Sequence, residues 1–205
     1  MPTGAAIRLR ADQVSEAGAV LARAFQADPL QSYAFPDARE RAERSPRHFV
    51  PLLQFGCLFG EVLTTPGAVQ GAAVWLPPGA GDMTAEHLHA AGLDELPAAI
   101  GVDAAERFDH VLAYVAPLHE RDVPGEHWYL MVIGVEPARH GSGIGAALIL
   151  PILERADAEG VPCYLETAQG RNVSFYQHLG FRVMAEVVEP RSGLRLWTFR
   201  RDPPA

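Results

Sequence analysis

Between His127 and Val135 the chain is apolar on both alternating faces, with Tyr129, Met131, Ile133 and Val135 on one and Trp128, Leu130 and Val132 on the other. That pattern predicts a strand covered on both sides, in the middle of a sheet. Upstream, Ile7–Arg10 alternates apolar and basic residues and predicts a short strand. Asp12 can cap a helix whose Val14, Gly18, Leu21 and Phe25 share a face, and Asp28-Pro29 should end it. An aromatic-bearing loop is expected over Leu30–Asp37, then a helix over Glu40–Phe59. Glu61–Thr65 and Val69–Leu76 predict strands around a Pro66-Gly67 turn, and Pro77–Gly81 a loop. Helix formers between Thr84 and His119, broken at Gly92, Pro97 and Gly101, predict two or three short helices.

Downstream of the central strand, Gly141–Gly160 predicts a glycine-rich turn entering a long helix. Propensity alone breaks that helix at Pro151. Val161–Thr167 predicts a strand, Asn172–Leu179 a short helix, and Arg182–Glu189 with Leu194–Arg200 a closing strand pair. Strands adjacent in sequence at both ends, with a strand–helix–strand unit between, place the chain in the α/β or α+β class with a mixed sheet.

Composition narrows the partners. A 48% hydrophobic, 20% charged chain of 205 residues can bury a core, and without a linker-like stretch it reads as one domain over 1–205. A formal net charge of −8 lacks the basic stripe a nucleic-acid binder needs. The start of the chain has no basic segment leading into an apolar run, and Ile144–Leu153 is too short to span a bilayer, so a cytoplasmic protein without membrane partners is expected. Cys57 and Cys163 lie far apart and read as reduced thiols. None of the eight histidines has ligand spacing, so no metal site is expected.

Two segments carry chemistry. In the first, His140-Gly141-Ser142-Gly143-Ile144-Gly145-Ala146 leaves a buried strand and opens a helix. Its glycines let the backbone curl and approach a ligand, and the unpaired amides of a helix's first turn form an anion site. No Gly-Lys-Ser/Thr follows, and the glycines fall at every second position, so neither a P-loop nor a dinucleotide fingerprint is present. In the second, Asn172 is a suitable N-cap, and Phe175, Tyr176 and Leu179 follow at helical spacing. Gly180 can take the left-handed C-terminal position, with Phe181 folding back on the helix.

Together these segments resemble the GNAT acetyltransferases. His140, Gly143 and Gly145 stand where that family has Arg or Gln, then Gly, then Gly or Ala; the histidine departs from the pattern. Asn172, Phe175-Tyr176 and Gly180-Phe181 match the family's second motif. The stretch from His127 to Arg200 is similar to the puromycin N-acetyltransferase group, through Leu148–Pro151, Gly160–Pro162, Leu165–Thr167 and Arg171-Asn172. The resemblance implies a mixed, mostly antiparallel sheet flanked by helices, and a helix that continues through Pro151. It implies an acetyl-CoA-binding half over 126–205 and a mainly acceptor-side half over 1–125.

It further implies acetyl transfer to a primary amine of a small molecule by direct attack, in a monomer or homodimer. Acetyl-CoA would be held by Ile133, Gly134 and Val135 on the strand, by His140 to Ala146 in the turn, and by Asn172 and Tyr176. Tyr176 would be the general acid. A phenol, ordinarily with a pKa near ~10, is protonated at neutral pH and can donate to a departing thiolate. The attacking amine needs a base. Glu166 is the first candidate, because an acid inside an apolar strand needs a reason; Glu61, Asp28 and Tyr33 are the others. A protein N-terminal or lysine acetyltransferase, or a non-enzymatic CoA-binding protein, are the competing expectations.

Overall fold

The computed structural model describes residues 5–80 and 83–204. Gly81, the end of the expected 77–81 loop, and the first four residues of the chain lie outside them. Seven strands form one sheet in the order β1-β2-β3-β4-β5-β7-β6. They are β1 (Ile7–Arg8), β2 (Glu61–Thr64), β3 (Gly71–Leu76), β4 (Trp128–Val135), β5 (Cys163–Thr167), β6 (Arg182–Val188) and β7 (Arg195–Arg201). Every pairing is antiparallel except β4 with β5. The mixed, mostly antiparallel sheet is the fold class expected.

The helices are α1 (Val14–Ala24), α2 (Pro29–Ala34), α3 (Ala38–Phe59), α4 (Ala85–Ala90), α5 (Leu96–Ile100), α6 (Val102–Asp122), α7 (Ile144–Glu159) and α8 (Val173–His178). One face of the sheet packs on α7, through Leu148, Ile149, Ile152 and Leu153 against Trp75, Trp128 and Leu130. The other receives α1 and α3, through Leu21, Phe49 and Leu53 against Ala72 and Val74.

Three elements differ from expectation. The segment expected as a loop over Leu30–Asp37 is mostly the helix α2. The Asp28 carboxylate accepts from the amides of Leu30 (2.9 Å) and Gln31 (3.2 Å), and Pro29 occupies the first turn. The same Asp-Pro pair that stops α1 therefore starts α2. The 84–119 region does hold three helices, but α6 runs 21 residues from Gly101, which turns the chain at φ +94°, through Pro117 to Asp122. The third difference lies in β4. The pairing with β3 steps from Val74↔Val132 to Trp75↔Leu130, leaving Met131 as an extra residue. This bulge inverts the alternation. Ile133 and Val135 pack on the α7 side with Trp128 and Leu130, not with Tyr129, while Met131 and Val132 pack together on the α1/α3 side.

Helix α7 continues unbroken through Pro151 to Glu159, as the resemblance implies and propensity alone does not. Among the described residues, no helix is long and apolar enough to cross a membrane.

Candidate active site

The parallel pair at the sheet's centre is short. β4 and β5 are in register only at Trp128↔Cys163 and Tyr129↔Tyr164, after which the strands part. Two cavities open at this divergence.

The first, of about 480 Å³, is lined by the far end of β4 (Ile133, Gly134, Val135), the turn before α7, and residues 169 to 176. Gly141 and Gly143 hold φ of +76° and +84°, a region that residues with a Cβ rarely enter, and Gly143 is the N-cap of α7. The chain thereby turns so sharply that the amides of Gly141, Gly143, Ile144, Gly145 and Ala146 have no backbone acceptor among the described residues. Aligned at a helix N-terminus, they constitute an anion site. Arg139 and Arg171 line the same cavity, and neither is in an ion pair among the described residues. In a chain of net charge −8, Arg139 and Arg171, the latter also near Asp28, stand beside unpaired amides as a local reversal of sign suited to a diphosphate.

Of the twelve residues expected to hold the cofactor, eleven line this cavity. The exception is Ser142, whose hydroxyl donates to the Arg139 carbonyl (2.6 Å) and braces the turn. The His140 ring is turned back, its Nε2 3.0 Å from the Val135 carbonyl, so it ties the turn to the strand. Gly134 has a packing role of its own. A Cβ there would come within 2.8 Å of Leu21 and 3.0 Å of Ala24, so glycine lets α1 lie close over β4.

Asn172 does not cap α8 through its side chain. A short 3-10 turn over Gly170–Asn172 already winds into the helix, giving Asn172 helical angles (φ −83°, ψ −11°). Its amide remains available where it lines both cavities. At the helix's other end the expected cap forms. Gly180 takes φ +87°, and the Phe181 amide donates to the Tyr176 carbonyl (3.1 Å).

The second cavity, of about 260 Å³, lies on the other side of Tyr176, and the two share Phe25, Asp28, Ile133, Asn172 and Tyr176. Tyr176 is buried at this junction, against Phe175, Phe181 and Phe199. Burial, then the nearby Asp28 charge, raise its pKa, so the phenol keeps its proton. Asp28 is itself raised by burial, opposed by the amides of Gln31 and Leu30 and by Arg171.

Glu166 lines the second cavity, its side chain only 13% exposed. Burial lifts its pKa to about 7, opposed by the phenols of Tyr129 and Tyr164. The Tyr164 hydroxyl is buried without a partner in hydrogen-bond geometry, so its contribution is the weaker one. Behind the carboxylate, His119 Nδ1 stands 3.4 Å from Glu166 Oε1, and His119 Nε2 lies 2.7 Å from His127 Nε2. Burial depresses the pKa of His119 to about 4, and that of His127 falls for the same reason. Glu166 thus heads a polar path running back from the cavity.

The other candidate bases sit elsewhere. Glu61 is ion-paired with Arg8 (3.2 Å) and with Arg155, and lines neither cavity. Tyr33 packs against Val111, Val115 and Leu196 and also lines neither. Asp28 lines both, but its carboxylate caps α2. Cys163 is fully buried and its thiol is pushed up to about 12 by burial, which leaves no thiolate near neutral pH.

Ala24, Phe25, Arg139, Gln169, Arg171 and Phe175 line the first cavity without having been expected there as cofactor-binding residues, although Arg171 and Phe175 fall within the motifs read from the sequence. Three of them carried a legible signal: Arg139 as a basic residue just before the glycine-rich turn, and Arg171 and Phe175 as parts of the second motif. Phe25 reads from the sequence as one more apolar residue of an amphipathic helix.

Comparison with known proteins agrees with this geometry. The model of the acetyltransferase (GNAT) family matches residues 75–181, more than half of the chain. An uncharacterized N-acetyltransferase of Schizosaccharomyces pombe is 27% identical over 182 residues, covering 86% of this chain and 74% of that protein. The fold is shared with the histone acetyltransferase HPA2 and related acetyltransferase from Corynebacterium glutamicum (TM-score 0.71, 20% identity, 98% and 97% of the two chains). It is shared also with arylalkylamine N-acetyltransferase 2 from Aedes aegypti (TM-score 0.62, 15% identity, 97% and 98%). The chain belongs to the GNAT acetyltransferase family and is an N-acetyltransferase.

Proposed function

We propose that this enzyme transfers the acetyl group of acetyl-CoA to a primary amine of a small molecule, by direct attack within a ternary complex. One observation carries the reading. A cavity with an anion-binding rim and a cavity with a buried carboxylate meet at a protonated phenol, Tyr176.

The first cavity suits acetyl-CoA. The unpaired amides of Gly141 and of Gly143 to Ala146, with Arg139 and Arg171, match the diphosphate. The β4 edge left unpaired by β5 beyond Tyr129 offers backbone groups to the pantetheine amides. Acetyl-CoA supplies an acetyl thioester. In the second cavity Glu166 takes a proton from the bound ammonium, leaving the nitrogen lone pair free to attack. With a pKa of about 7 it is basic enough to accept that proton and still largely ionised just above neutrality. A β4 amide at Ile133, Gly134 or Val135 polarises the carbonyl, and the Tyr176 hydroxyl donates its proton to the thiolate as the carbon–sulfur bond breaks; the second proton, which the nitrogen sheds on becoming an amide, returns to the tyrosinate. Cys163 takes no part.

The resemblance to the puromycin N-acetyltransferase group covers the cofactor half and carries no acceptor to this chain. The test is thiol release from acetyl-CoA in the presence of primary amines. Tyr176→Phe should lower kcat by roughly 10²-fold or more while leaving acetyl-CoA affinity within about twofold. An unchanged kcat removes the general-acid role.

A further inference from the structure

The second cavity is unusual in what it lacks. Its walls come from eight elements: the end of α1, then α2, α3, α6, β4, β5, α8 and β7, with Phe25, Leu30, Phe49, Leu52, Phe108 and Val111 among them. Among the described residues no arginine lines it, and its carboxylates are Asp28 and Glu166 alone. Asp28 is engaged by two backbone amides and lies near Arg171, so Glu166 is left as the one anionic anchor for a cationic head. The phenols of Tyr129 and Tyr176 keep their protons, and the remaining ionisable group among the described wall residues is His48, which is held neutral. Gln31 is buried, and its Oε1 accepts from the Ser45 hydroxyl (3.0 Å). Its Nε2 therefore faces His48 Nδ1 (2.8 Å) as the donor, which leaves the imidazole proton on Nε2. The ring stacks on Phe108 with centroids 4.1 Å apart, and its burial opposes a second proton. At the cavity's edge, Met83 and Leu112 leave 46% and 51% of their surface exposed.

From this arrangement we infer that the acceptor is a compact monoamine with an apolar body, aryl or alkyl, whose ammonium meets Glu166. The inference rests on the acetyl-transfer reading above and deepens it. A second ammonium on the body would be buried among Phe, Leu and Val side chains, facing an imidazole that can only donate. A carboxylate on the body, as in a free amino acid, would find no cation and would stand beside Glu166. An apolar body gains from every methylene it removes from water, and the exposed Met83 and Leu112 extend that gain to the mouth. A hydroxyl or carbonyl on the body is tolerated, because the His48 N–H can give it a hydrogen bond.

The deciding experiment compares kcat/KM for butylamine, pentylamine, hexylamine and phenethylamine with that for cadaverine, which is pentylamine carrying a second terminal ammonium. Thiol release is the readout, and thermal stabilisation by CoA is measured on the same preparation. The expected result is a rise of about fourfold per added methylene until the cavity is filled. Cadaverine should fall roughly 100-fold below pentylamine. Leu112→Glu, a change at an exposed position, should raise KM for hexylamine several-fold and narrow the gap between pentylamine and cadaverine. Equal or better use of cadaverine, or a flat alkyl series, overturns the inference. So does a protein that CoA stabilises but that acetylates none of the apolar amines. Absence of any stabilisation by CoA is a different failure, since it removes the acetyl-transfer reading itself.

Discussion

The two cavities that meet at Tyr176 are built by opposite means. The cofactor-side cavity is made from contiguous chain, largely Ile133 to Ala146 and Gln169 to Tyr176, and its polar character comes mostly from backbone amides that a tight turn leaves unpaired. The acceptor-side cavity is assembled from scattered side chains at the end of α1 and on α2, α3, α6, β4, β5, α8 and β7, and its character comes from which apolar residues each one contributes. A backbone-made site tolerates changes of side chain but not of φ. A side-chain-made site behaves the other way, and its specificity can change through single substitutions while the scaffold stays put. This is the physical reason one cavity can be placed within a family and the other must be read from its own walls.

That contrast can be broken most forcefully at Gly143. Gly143→Val puts a β-branched residue at φ +84° in the N-cap of α7, and acetyl-CoA affinity should fall by roughly 100-fold or more. Gly193→Val imposes comparable backbone strain at φ +71°, where an added Cβ meets nothing within 4 Å, and should leave acetyl-CoA affinity unchanged. Calorimetric titration of both variants checks the pair. If both lose binding, strain alone explains the loss and the turn has no special part in holding the cofactor.

On the acceptor side, Glu166→Gln keeps the shape and removes the base. kcat/KM should drop by roughly 10²-fold at pH 8. In the wild type, log kcat/KM should rise with pH and bend near pH 7, where the buried carboxyl gives up its proton. The variant should lack that bend, and a bend that persists would assign the titration to another group.

A smaller effect concerns stability. The Glu166 pKa is raised in the folded protein to about 7 from an ordinary 4.5, so the folded state binds its proton more tightly than the unfolded chain. The favourable contribution is complete below about pH 4.5 and is lost as pH rises through 7, by roughly 3 kcal/mol. Glu166→Gln should therefore be more stable than wild type at pH 8, with that advantage shrinking toward pH 5. Denaturant titration at the two pH values measures the difference.

What the sequence disclosed follows the same division. Glycine spacing, the Asn172-to-Phe181 motif and the two-sided strand pointed to residues that line the first cavity, because each is a local pattern with a local conformational meaning. Glu166 was legible for a related reason: a carboxylate inside an apolar strand is anomalous wherever the strand goes. The bulge at Met131 left no mark, since one extra residue in a strand apolar on both faces does not disturb the pattern. Reading through it placed Ile133 and Val135 on the wrong face. The helix α2 was hidden because Asp28-Pro29 was read as a stop alone, though aspartate followed by proline is also a start. The apolar walls of the second cavity could not be read. Leu30, Phe49, Phe108 and Leu196 are brought together by tertiary packing, and apolar residues on four separate elements look like four pieces of core.

The claim that acetyl donor and amine occupy two cavities at once is tested most directly by initial-rate kinetics of thiol release, varying acetyl-CoA against several fixed concentrations of phenethylamine. All seventeen residues of the Lys+Arg count are arginine, so acetylation of the enzyme's own lysines cannot add background. The account predicts release that requires the amine and reciprocal plots that intersect, as for a ternary complex. Parallel plots, or a stoichiometric burst of thiol without amine, would mean that the acetyl group rests on the enzyme between two separate visits, and would contradict it.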